Sequence, residues 1–516
     1  MKASFRTPLA LITLLAGSYL FRLPPLLNAR STNSDAAVVG LQAIHILRGE
    51  HSAFLWGSGY QTSADAYVAA MFFKVFGATP FWLMTSALTL HVVATVLVFL
   101  TLSRHFDPWA ALLLTAPLIL APPSVHTYAL YPPRQLSLTL ALAAFWAVDA
   151  AGHVLVREGV DRYARERRSR AWLLFGGLLS TLAITADPYP LLLLPVLYFF
   201  VMLVAKSEVD VKTALVRFAF SVAGAALGLV PFLLVRRLPG AKSGPMGLTT
   251  DALGHHWDLL LSECLPWALS YKVYFAHNVM DYAPWDAPLV VRVIGYAGAL
   301  AVFALVVYAF VSVILPSLPW PIRRLGITGA IVYPLALVAF LTSVMVMDHF
   351  SMRYLVVLTL MLPFVAAPAA KALGPKRFAI VLAPHLVASA ICGWVGYGPF
   401  VHGVVPVRET PELKDDYALL WTLTTHGVDY ATADYWASYR LTLLWNERVI
   451  VVPKNASEDR YAPYRKAFDE AKVFAYVFDP GRSRENLEDA ERDLRGKYKS
   501  VEKTMAGGDT VFIVRR

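Results

Sequence analysis

The feature that most constrains this chain is a succession of long, almost uncharged apolar segments. About eleven of them have the roughly 17 to 25 residues that a helix needs to cross a bilayer. Backbone groups in lipid must bond within their own segment, so these segments predict a bundle of transmembrane helices and a mainly α fold. The predicted spans are 8–27, 80–103, 108–124, 134–156, 171–187, 188–205, 216–235, 290–315, 325–347, 353–371 and 377–398.

The composition agrees with a polytopic membrane protein. Of the 516 residues, 57% are hydrophobic and 16% are charged, whereas a soluble globular domain carries about 25% charged residues. The formal net charge of +10 does not predict a nucleic-acid partner, because many of the basic residues lie in short loops between apolar segments. Cys392 lies inside an apolar segment and Cys264 is the only other cysteine, so we predict neither a disulfide framework nor a zinc site.

The positions of Lys and Arg predict the orientation. Lys2 and Arg6 precede the first span and keep the N-terminus in the cytoplasm. We therefore predict a multi-pass protein of the plasma (inner) membrane with an extracytoplasmic C-terminal domain, since an odd number of spans separates the two ends. The loops assigned to the cytoplasm contain Arg104, Arg157, Arg162, Arg165, Arg167, Arg168, Arg170, Lys206, Lys212, Arg323, Arg324, Lys371, Lys376 and Arg377.

Two extracytoplasmic loops and the C-terminal region are long enough to contain a site. Loops 28–79 and 236–289 belong to a predicted membrane core, residues 1–400. Residues 405–516 alternate strand-like and helix-like stretches, which predicts a small soluble α/β domain. Within 35–50, apolar and polar residues separate onto two helical faces, which predicts a helix lying along the membrane surface.

Asp35 is the first candidate functional residue. It follows the first span in NARSTNSDAAVVG, and an acid at a membrane boundary is a candidate for function. A structural explanation competes with catalysis, because Ser34 or Asp35 could cap the helix that follows. Asp65, in FLWGSGYQTSADAY with Tyr60 nearby, could position an acceptor, or it could only favour the dipole of a second helix.

Cationic residues at the same boundary could bind a lipid phosphate. Arg134 in HTYALYPPRQLS and Arg353 in MDHFSMRYL fit this role, although each could equally extend its guanidinium to lipid headgroups. His349 precedes Arg353 and could orient it by a hydrogen bond. Lys272, in SYKVYFAHN, is a weaker candidate. We predict no metal at the neighbouring histidines 255 and 256, which lack a third fixed ligand.

The stretches that contain Asp35, Asp65 and Arg353 resemble the GT-C superfamily of integral-membrane glycosyltransferases. The resemblance is in particular to the bacterial polyprenyl-phosphate-sugar-dependent proteins related to protein O-mannosyltransferases and aminoarabinose transferases. The resemblance covers roughly residues 1–400. DYWASYRLTLLWNERVIVVP also looks like the appended outer domain of some bacterial members. The motifs that carry the resemblance are NSDAAVVGLQAIHILRGE, FLWGSGYQTSADAYVAAMFFKVFG and SMRYLVVLTLMLP.

The resemblance implies an inverting transfer of a sugar from a lipid phosphate to an acceptor hydroxyl at the outer leaflet. Asp35 matches the loop acid of the family and would be the general base, and Asp65 would be a second acid. Arg353 or Arg134 would stabilise the departing phosphate. The implied partners are a polyprenyl-phosphate sugar donor, a lipid, glycan or protein acceptor, and membrane lipids. No cofactor and no nucleic acid are expected.

Two other classes of function remain open on the sequence. A non-catalytic transporter or lipid-handling protein would more usually carry ionisable groups at mid-membrane. Within the predicted spans we interpret Asp149, His91 and His385 as isolated, which favours the transferase. A membrane-anchored binding protein would use the C-terminal domain instead.

Overall fold

The computed structural model describes most of the chain. The described residues are 3–28, 32–122, 131–156, 159, 161–206, 210–238, 247–272, 274–276, 282–284, 286–396, 411–479 and 486–516. Numbered along the chain, the α-helices are α1 (Ala3–Asn28), α2 (Ser34–Leu47), α3 (Ala64–Phe76), α4 (Pro80–Leu102), α5 (Pro108–Ile119), α6 (Gln135–Leu155), α7 (Arg162–Ala186), α8 (Leu193–Ala205), α9 (Val211–Val235), α10 (Leu253–Leu259), α11 (Leu265–Ala268), α12 (Leu289–Val311), α13 (Trp320–Thr342), α14 (Val356–Gly396), α15 (Pro411–Thr425), α16 (Tyr435–Leu444), α17 (Ala462–Glu470) and α18 (Leu487–Lys497).

The predicted transmembrane bundle is confirmed. Seven helical segments within the described ranges are long and apolar enough to cross a membrane, and the last of them, His349–Trp394, contains the predicted span 353–371 and most of 377–398. The remaining three predicted spans coincide with α1, with the short α5, and with the apolar segment Tyr189–Ala205. Residues 123–124, which end the predicted span 108–124, lie outside the described part of the chain. The chain is therefore an integral membrane protein.

Helix α14 is two helical arms joined at Gly374. This glycine has a φ of 74°, which a side chain would disfavour, and Pro375 follows it. Gly374 and His105 line the same cavity at one end of the bundle. Cys392, in the second arm, contacts the carbonyl of Ser270 at the other end. The second arm therefore runs back toward the end at which the first began.

The two ends of the bundle differ. At one end, which we call the domain end, lie α2, α3, a hairpin of β1 (Phe54–Leu55) and β2 (Ser58–Thr62), and the C-terminal domain. At the opposite end Asp149 is fully buried. Its carboxylate oxygens lie 3.1 Å from a nitrogen of Arg104, 3.0 Å from His105 and 3.5 Å from Arg324. The interpretation of Asp149 as an isolated group is therefore wrong.

His91 is not isolated either. Its Nε2 lies 3.1 Å from the guanidinium of Arg22, which also donates to the carbonyls of Leu118 and Ile119. These carbonyls are free to accept because α5 ends at Ile119, where the last turn has no further helical amides. For His385, by contrast, neither ring nitrogen has a hydrogen-bond partner among the described residues.

Helix α2 is enclosed rather than amphipathic. Every residue from Ala36 to Ile46 is buried, and they pack with α3, α4 and the C-terminal domain in one apolar cluster. The predicted exposed polar face is therefore wrong: Gln42 bonds the carbonyl of Phe54 in the segment that follows α2, and His45 bonds Glu447 of the C-terminal domain. That the helix lies along the membrane surface stays a prediction. Asn33, not Ser34 or Asp35, is the N-cap and accepts the amide of Ala36 at 2.8 Å.

The loop 236–289 contributes little regular structure among its described residues. It contains α10, a single π-helical turn (Leu260–Cys264), α11, and an antiparallel pair of β3 (Tyr274–Ala276) and β4 (Tyr282–Pro284). The side chain of His256 is held between the carbonyls of Leu341 and Val346, which fixes this loop to the end of α13.

The C-terminal α/β domain is confirmed. Its strands are β5 (Tyr430–Ala433), β6 (Ile450–Pro453), β7 (Val473–Phe478), β8 (Ser500–Ala506) and β9 (Asp509–Arg515), in the order β6-β5-β7-β9-β8. Strands β5, β6 and β7 are parallel, and β9 is antiparallel to β7 and β8. Helix α16 leaves the sheet after β5 and packs on α2. The predicted junction at residues 400–405 lies outside the described residues.

Candidate functional site

A cavity of about 110 Å³ opens at the domain end, between the bundle, the β1–β2 hairpin and the C-terminal domain. This volume corresponds to a few water molecules and is sufficient for one phosphate group. It brings together four of the predicted site residues from three separate parts of the chain. The residues that line it are Asn33, Asp35, Val38, Leu55, Trp56, Ser58, Tyr60, Gln61, Tyr131, Pro132, Pro133, Arg134, Arg353, Trp436 and Arg460.

Asp35 lies in the first turn of α2, and its side chain is about half exposed (47%) to the cavity side. Its Oδ1 accepts the hydroxyl of Tyr435 at 2.5 Å and lies 3.5 Å from a guanidinium nitrogen of Arg460. Both partners belong to the C-terminal domain. Among the described residues no group donates to Oδ2, so this oxygen is available to accept a proton.

Tyr435 acts as a hydrogen-bond donor in this arrangement. Burial, and next the charge of Asp35, raise the pKa of the Tyr435 hydroxyl, so it keeps its proton. Arg460 donates its Nε–H to the same hydroxyl oxygen at 3.0 Å and Nη1–H to Ser58 Oγ at 3.1 Å. The arginine therefore connects the hairpin of the membrane core with the C-terminal domain.

Arg134 is held from two sides. Its Nε lies 3.1 Å from the carboxylate of Asp187, a buried acid at the end of α7. The same carboxylate accepts a hydrogen bond from the side-chain amide of Gln61. Arg134 is also the N-terminal cap position of α6, with a φ of 94°, a conformation that is unfavourable for a residue with a side chain. Contacts with both its side chain and its backbone are needed to hold it there.

Asp65 supplies the backbone contact. It is buried, and its two oxygens accept the amides of Arg134 and Leu136, each at 3.3 Å. It therefore caps α6 from a different helix, and it does not line the cavity. Burial raises the pKa of Asp65 to about 6, although the two amides oppose this shift. The carboxyl gains a proton in mildly acidic solution.

Arg353 and Tyr60 complete the wall of the cavity. The guanidinium of Arg353 lies 5.2 Å from the ring centroid of Tyr354 and donates to its hydroxyl. The carbonyl of Tyr354 in turn accepts the hydroxyl of Tyr189 at 2.7 Å. The segment that carries Arg353 is thus fixed to the chain after α7. Tyr60 comes from β2 and adds an aromatic ring to the wall.

The charges around the cavity suit an anion. Three arginines, 134, 353 and 460, and one carboxylate line it, which leaves an excess of two positive charges before the pairing of Arg134 with Asp187 is considered. Arginine forks match the geometry of phosphate oxygens. The site can therefore bind a phosphate next to a carboxylate that has one free oxygen.

Lys272 and His349 lie away from this cavity. The ammonium group of Lys272 contacts the carbonyl of Ser262 and the carboxylate of Glu263. The ring of His349 stacks on that of Trp267 at 6.2 Å between centroids. Neither residue lines the cavity, so their predicted binding roles have no support from its geometry.

A larger cavity of about 650 Å³ adjoins the first. It lies between the hairpin and α17, and both cavities share Leu55, Trp56 and Arg460 as wall residues. Arg465 and Asp459 form an ion pair at 2.8 Å in its wall. Asp35 lines only the smaller of the two cavities. Within the described ranges, no three His, Cys, Asp or Glu side chains converge as metal ligands would.

The sequence did not indicate four residues that build the site: Gln61, Asp187, Tyr435 and Arg460. Asp187 had the strongest signal, since it is an acid at the end of the predicted span 171–187, in ITADPYP. Tyr435 lies in a stretch that was recognised only as part of an appended domain. Nothing in the sequence around Arg460 distinguishes it from the other basic residues of that domain.

No protein-family profile and no curated protein matches the sequence. Solved structures share its fold, among them the following two. ArnT from Cupriavidus metallidurans, bound to undecaprenyl phosphate, is 12% identical with a TM-score of 0.55, and the match covers 98% of each chain. The apo oligosaccharyltransferase of Archaeoglobus fulgidus is 13% identical with a TM-score of 0.50, and the match covers 92% of this chain and 70% of that one.

At these identities the similarity concerns the fold, and it extends over the helix bundle together with the C-terminal domain. The architecture predicted from the sequence, a bundle of membrane helices with a small C-terminal α/β domain, is therefore confirmed, and this chain shares its fold with ArnT and with the oligosaccharyltransferase.

Proposed function

We propose that this protein is a membrane glycosyltransferase that moves a sugar from a polyprenyl-phosphate donor to an acceptor hydroxyl, with inversion and with Asp35 as general base. The observation that carries the proposal is the cavity at the domain end, where a carboxylate with one free oxygen lies among three arginines. A transfer of this kind needs a base for the acceptor and positive charge for the leaving phosphate, and the cavity contains both.

The chemistry balances with these groups. The acceptor hydroxyl gives its proton to Asp35 Oδ2 while its oxygen forms a bond to the anomeric carbon. The bond from that carbon to the phosphate oxygen breaks, and its electron pair stays on the lipid phosphate. Attack from the face opposite the phosphate inverts the anomeric centre. Arg353, Arg134 and Arg460 line the cavity and would stabilise the negative charge on that phosphate.

Two considerations support the choice of donor and of membrane face. The ArnT structure with the same fold contains undecaprenyl phosphate, which is a polyprenyl phosphate. More of the basic residues between the helices lie at the end opposite the cavity, among them Arg104 and Arg324 beside Asp149, and such an excess marks the cytoplasmic side. We therefore propose that the cavity lies at the extracytoplasmic face of the plasma membrane.

The acceptor has its own route to Asp35 in this proposal. The larger cavity beside Trp56 opens toward the C-terminal domain, so an acceptor can approach without displacing the donor lipid. Its wall carries charges of both signs and an indole ring, which suits a polar acceptor such as a glycan, a lipid headgroup or a protein side chain.

The test uses the purified full-length protein with undecaprenyl-phosphate-linked hexose and pentose, and with membranes from cells that lack the gene as the source of acceptor. Release of undecaprenyl phosphate is measured by mass spectrometry, so the acceptor need not be known. Asp35→Asn is expected to lower kcat by about 100- to 10,000-fold, the usual contribution of a general base, with little change in melting temperature.

Asp251→Asn is the matched control, because Asp251 is an exposed carboxylate at the same end that does not line the cavity. It should retain full turnover. Full turnover by Asp35→Asn would remove Asp35 as the base. If the wild-type protein bound undecaprenyl phosphate but released none from any sugar-linked form, the alternative of a non-catalytic lipid-handling protein would be supported instead.

A further inference from the structure

The C-terminal domain reaches into the cavity at the carboxylate of Asp35. Tyr435, the first residue of α16, donates its hydroxyl to Asp35 Oδ1 at 2.5 Å. Arg460, just before α17, contacts both the same carboxylate oxygen and the tyrosine hydroxyl. The three side chains form a closed triangle in which two members come from a domain about 400 residues further along the chain.

Helices α2 and α16 are joined closely enough to fix this triangle. Ser34, next to Asp35, is fully buried; its hydroxyl donates to the carbonyl of Tyr435 at 2.5 Å and accepts the amide of Arg440 at 3.3 Å. Six residues further along α2, a side chain at Gly40 would meet the side chain of Leu443 at 3.0 Å. The position of the tyrosine relative to the acid is therefore set by backbone contacts as well as by side chains.

Arg460 is fixed from both of its sides. On the domain side its backbone amide donates to the hydroxyl of Tyr439 at 2.6 Å. On the membrane-core side its guanidinium bonds Ser58, and its side chain packs over Gly57, which has a φ of 68° and no room for a Cβ atom. An arginine held in this way has lost its rotamer freedom before any substrate arrives, which is the condition for orienting a neighbouring group.

The result of these contacts is a difference between the two oxygens of Asp35. Oδ1 is occupied by Tyr435 and Arg460, and Oδ2 receives no hydrogen bond from the described residues. A carboxylate that can rotate freely about χ2 offers either oxygen in many directions, whereas one bonded through Oδ1 presents Oδ2 in one direction. Proton transfer depends on that direction, because the base must lie within hydrogen-bond reach of the acceptor hydroxyl.

We propose that Tyr435 and Arg460 are positioning residues of the active site, which hold the base Asp35 through Oδ1 and leave Oδ2 to accept the proton of the acceptor. The C-terminal domain is thus a structural part of the catalytic centre. This inference rests on the proposed function, since it assigns the orientation of the same base.

The experiment compares Tyr435→Phe with Tyr464→Phe in the full-length protein. Tyr464 is the matched control: it is a buried tyrosine of the same domain, and its hydroxyl also donates to a carboxylate, that of Glu447, at 2.5 Å, but away from the cavity. Each variant keeps the ring and removes a hydroxyl that has two side-chain partners, Asp35 and Arg460 for Tyr435, and Glu447 and His45 for Tyr464, so similar decreases in melting temperature are expected. Release of undecaprenyl phosphate gives kcat and the donor KM for both.

Tyr435→Phe is expected to lower kcat by about 10- to 100-fold, as loss of an orienting hydrogen bond commonly does, with the donor KM changed by less than about twofold. Tyr464→Phe should keep kcat within about twofold of the wild type. Arg460→Gln should also lower kcat. Arg460→Lys should recover part of this loss because lysine keeps the charge. The recovery should be incomplete because lysine lacks the planar guanidinium that reaches three partners.

Equal kcat values in Tyr435→Phe and Tyr464→Phe would overturn the positioning role. If Tyr435→Phe were fully active while Asp35→Asn was inactive, the inference would fail and the proposed function would stand. If the wild-type protein released no undecaprenyl phosphate, both would fail together.

Discussion

At the scale of single residues, two acids that appear equivalent in the sequence have different surroundings. Asp35 is half exposed and has a free oxygen at a cavity with three arginines. Asp65 is buried, and both of its oxygens are used by the backbone at the start of α6. The geometry therefore supports a chemical role for Asp35 and a structural role for Asp65, which holds Arg134 in an unfavourable conformation. The predicted role of Asp65 as a second acid stays a prediction.

Substitution of Asp65 can separate these roles. Asp65→Asn leaves one oxygen for two amides, so one buried amide loses its partner, and we expect a loss of about 1–3 kcal/mol in the free energy of unfolding. Arg134 should lose its fixed position, so the donor KM should rise more than kcat falls. Thermal unfolding and steady-state kinetics measure the two effects. A large loss of kcat with unchanged stability would instead identify Asp65 as a catalytic group.

At the scale of elements, an ionic cluster lies at the C-terminal end of α2, ten residues from Asp35. His45 lies 2.8 Å from Glu50 and 2.8 Å from Glu447, which comes from the segment after α16. Arg48 also pairs with Glu447, at 2.5 Å. Tyr464 donates to Glu447, and Tyr461 donates to Glu50. The cluster attaches the helix that carries Asp35 to the C-terminal domain.

The cluster predicts a pH dependence of this attachment. Burial by itself lowers the pKa of His45, but the hydrogen bonds and charges of Glu447 and Glu50 more than offset it, so the pKa is raised above 6.5. The stabilisation from His45 is complete below pH 6.5 and is lost as the pH rises through the raised pKa. Burial by itself raises the pKa of Glu447, but the hydrogen bonds with His45 and Tyr464 more than offset this effect and lower the pKa to about 2. Its stabilisation is complete above pH 4.5 and is lost as the pH falls toward 2.

We therefore expect the attachment to be strongest between about pH 4.5 and 6.5 and to weaken toward pH 8.5. His45→Gln, which cannot take up a proton, should remove this part of the dependence. Thermal unfolding at pH 6 and pH 8.5 measures it. The variant also serves as the control for the other histidines, because their contributions remain in it. An equal change with pH in both proteins would contradict the prediction.

At the scale of the whole molecule, the sequence predicts the parts of the fold that depend on local pattern. Apolar length is enough to find the helices of the bundle, and alternation is enough to find the C-terminal α/β domain. Pairings between distant segments have no such signal. Nothing near Asp35 indicates Tyr435 or Arg460, and nothing in α2 indicates that a domain beginning almost 400 residues later covers its polar face. Charged and polar residues next to long apolar spans are easy to recognise, which is why the sequence indicated Asp35, Arg134, Arg353 and Tyr60 as candidates.

The orientation of the whole molecule gives the last prediction. If the basic connections face the cytoplasm, a cysteine in the C-terminal domain should react with a membrane-impermeant maleimide on intact cells. Ser457→Cys and Arg168→Cys suit the test, because both positions are exposed and they lie in the domain and at the opposite end of the bundle. The two native cysteines are buried, so their background labelling should be low.

We expect labelling of Ser457→Cys in intact cells and labelling of Arg168→Cys only after the membrane is permeabilised, with mass spectrometry of the labelled peptide as the readout. Each variant is the control for the other. The reverse pattern would place the cavity of Asp35 in the cytoplasm. The donor would then have to present its sugar at the inner leaflet, and the proposed extracytoplasmic transfer would be wrong even if Asp35 were the base.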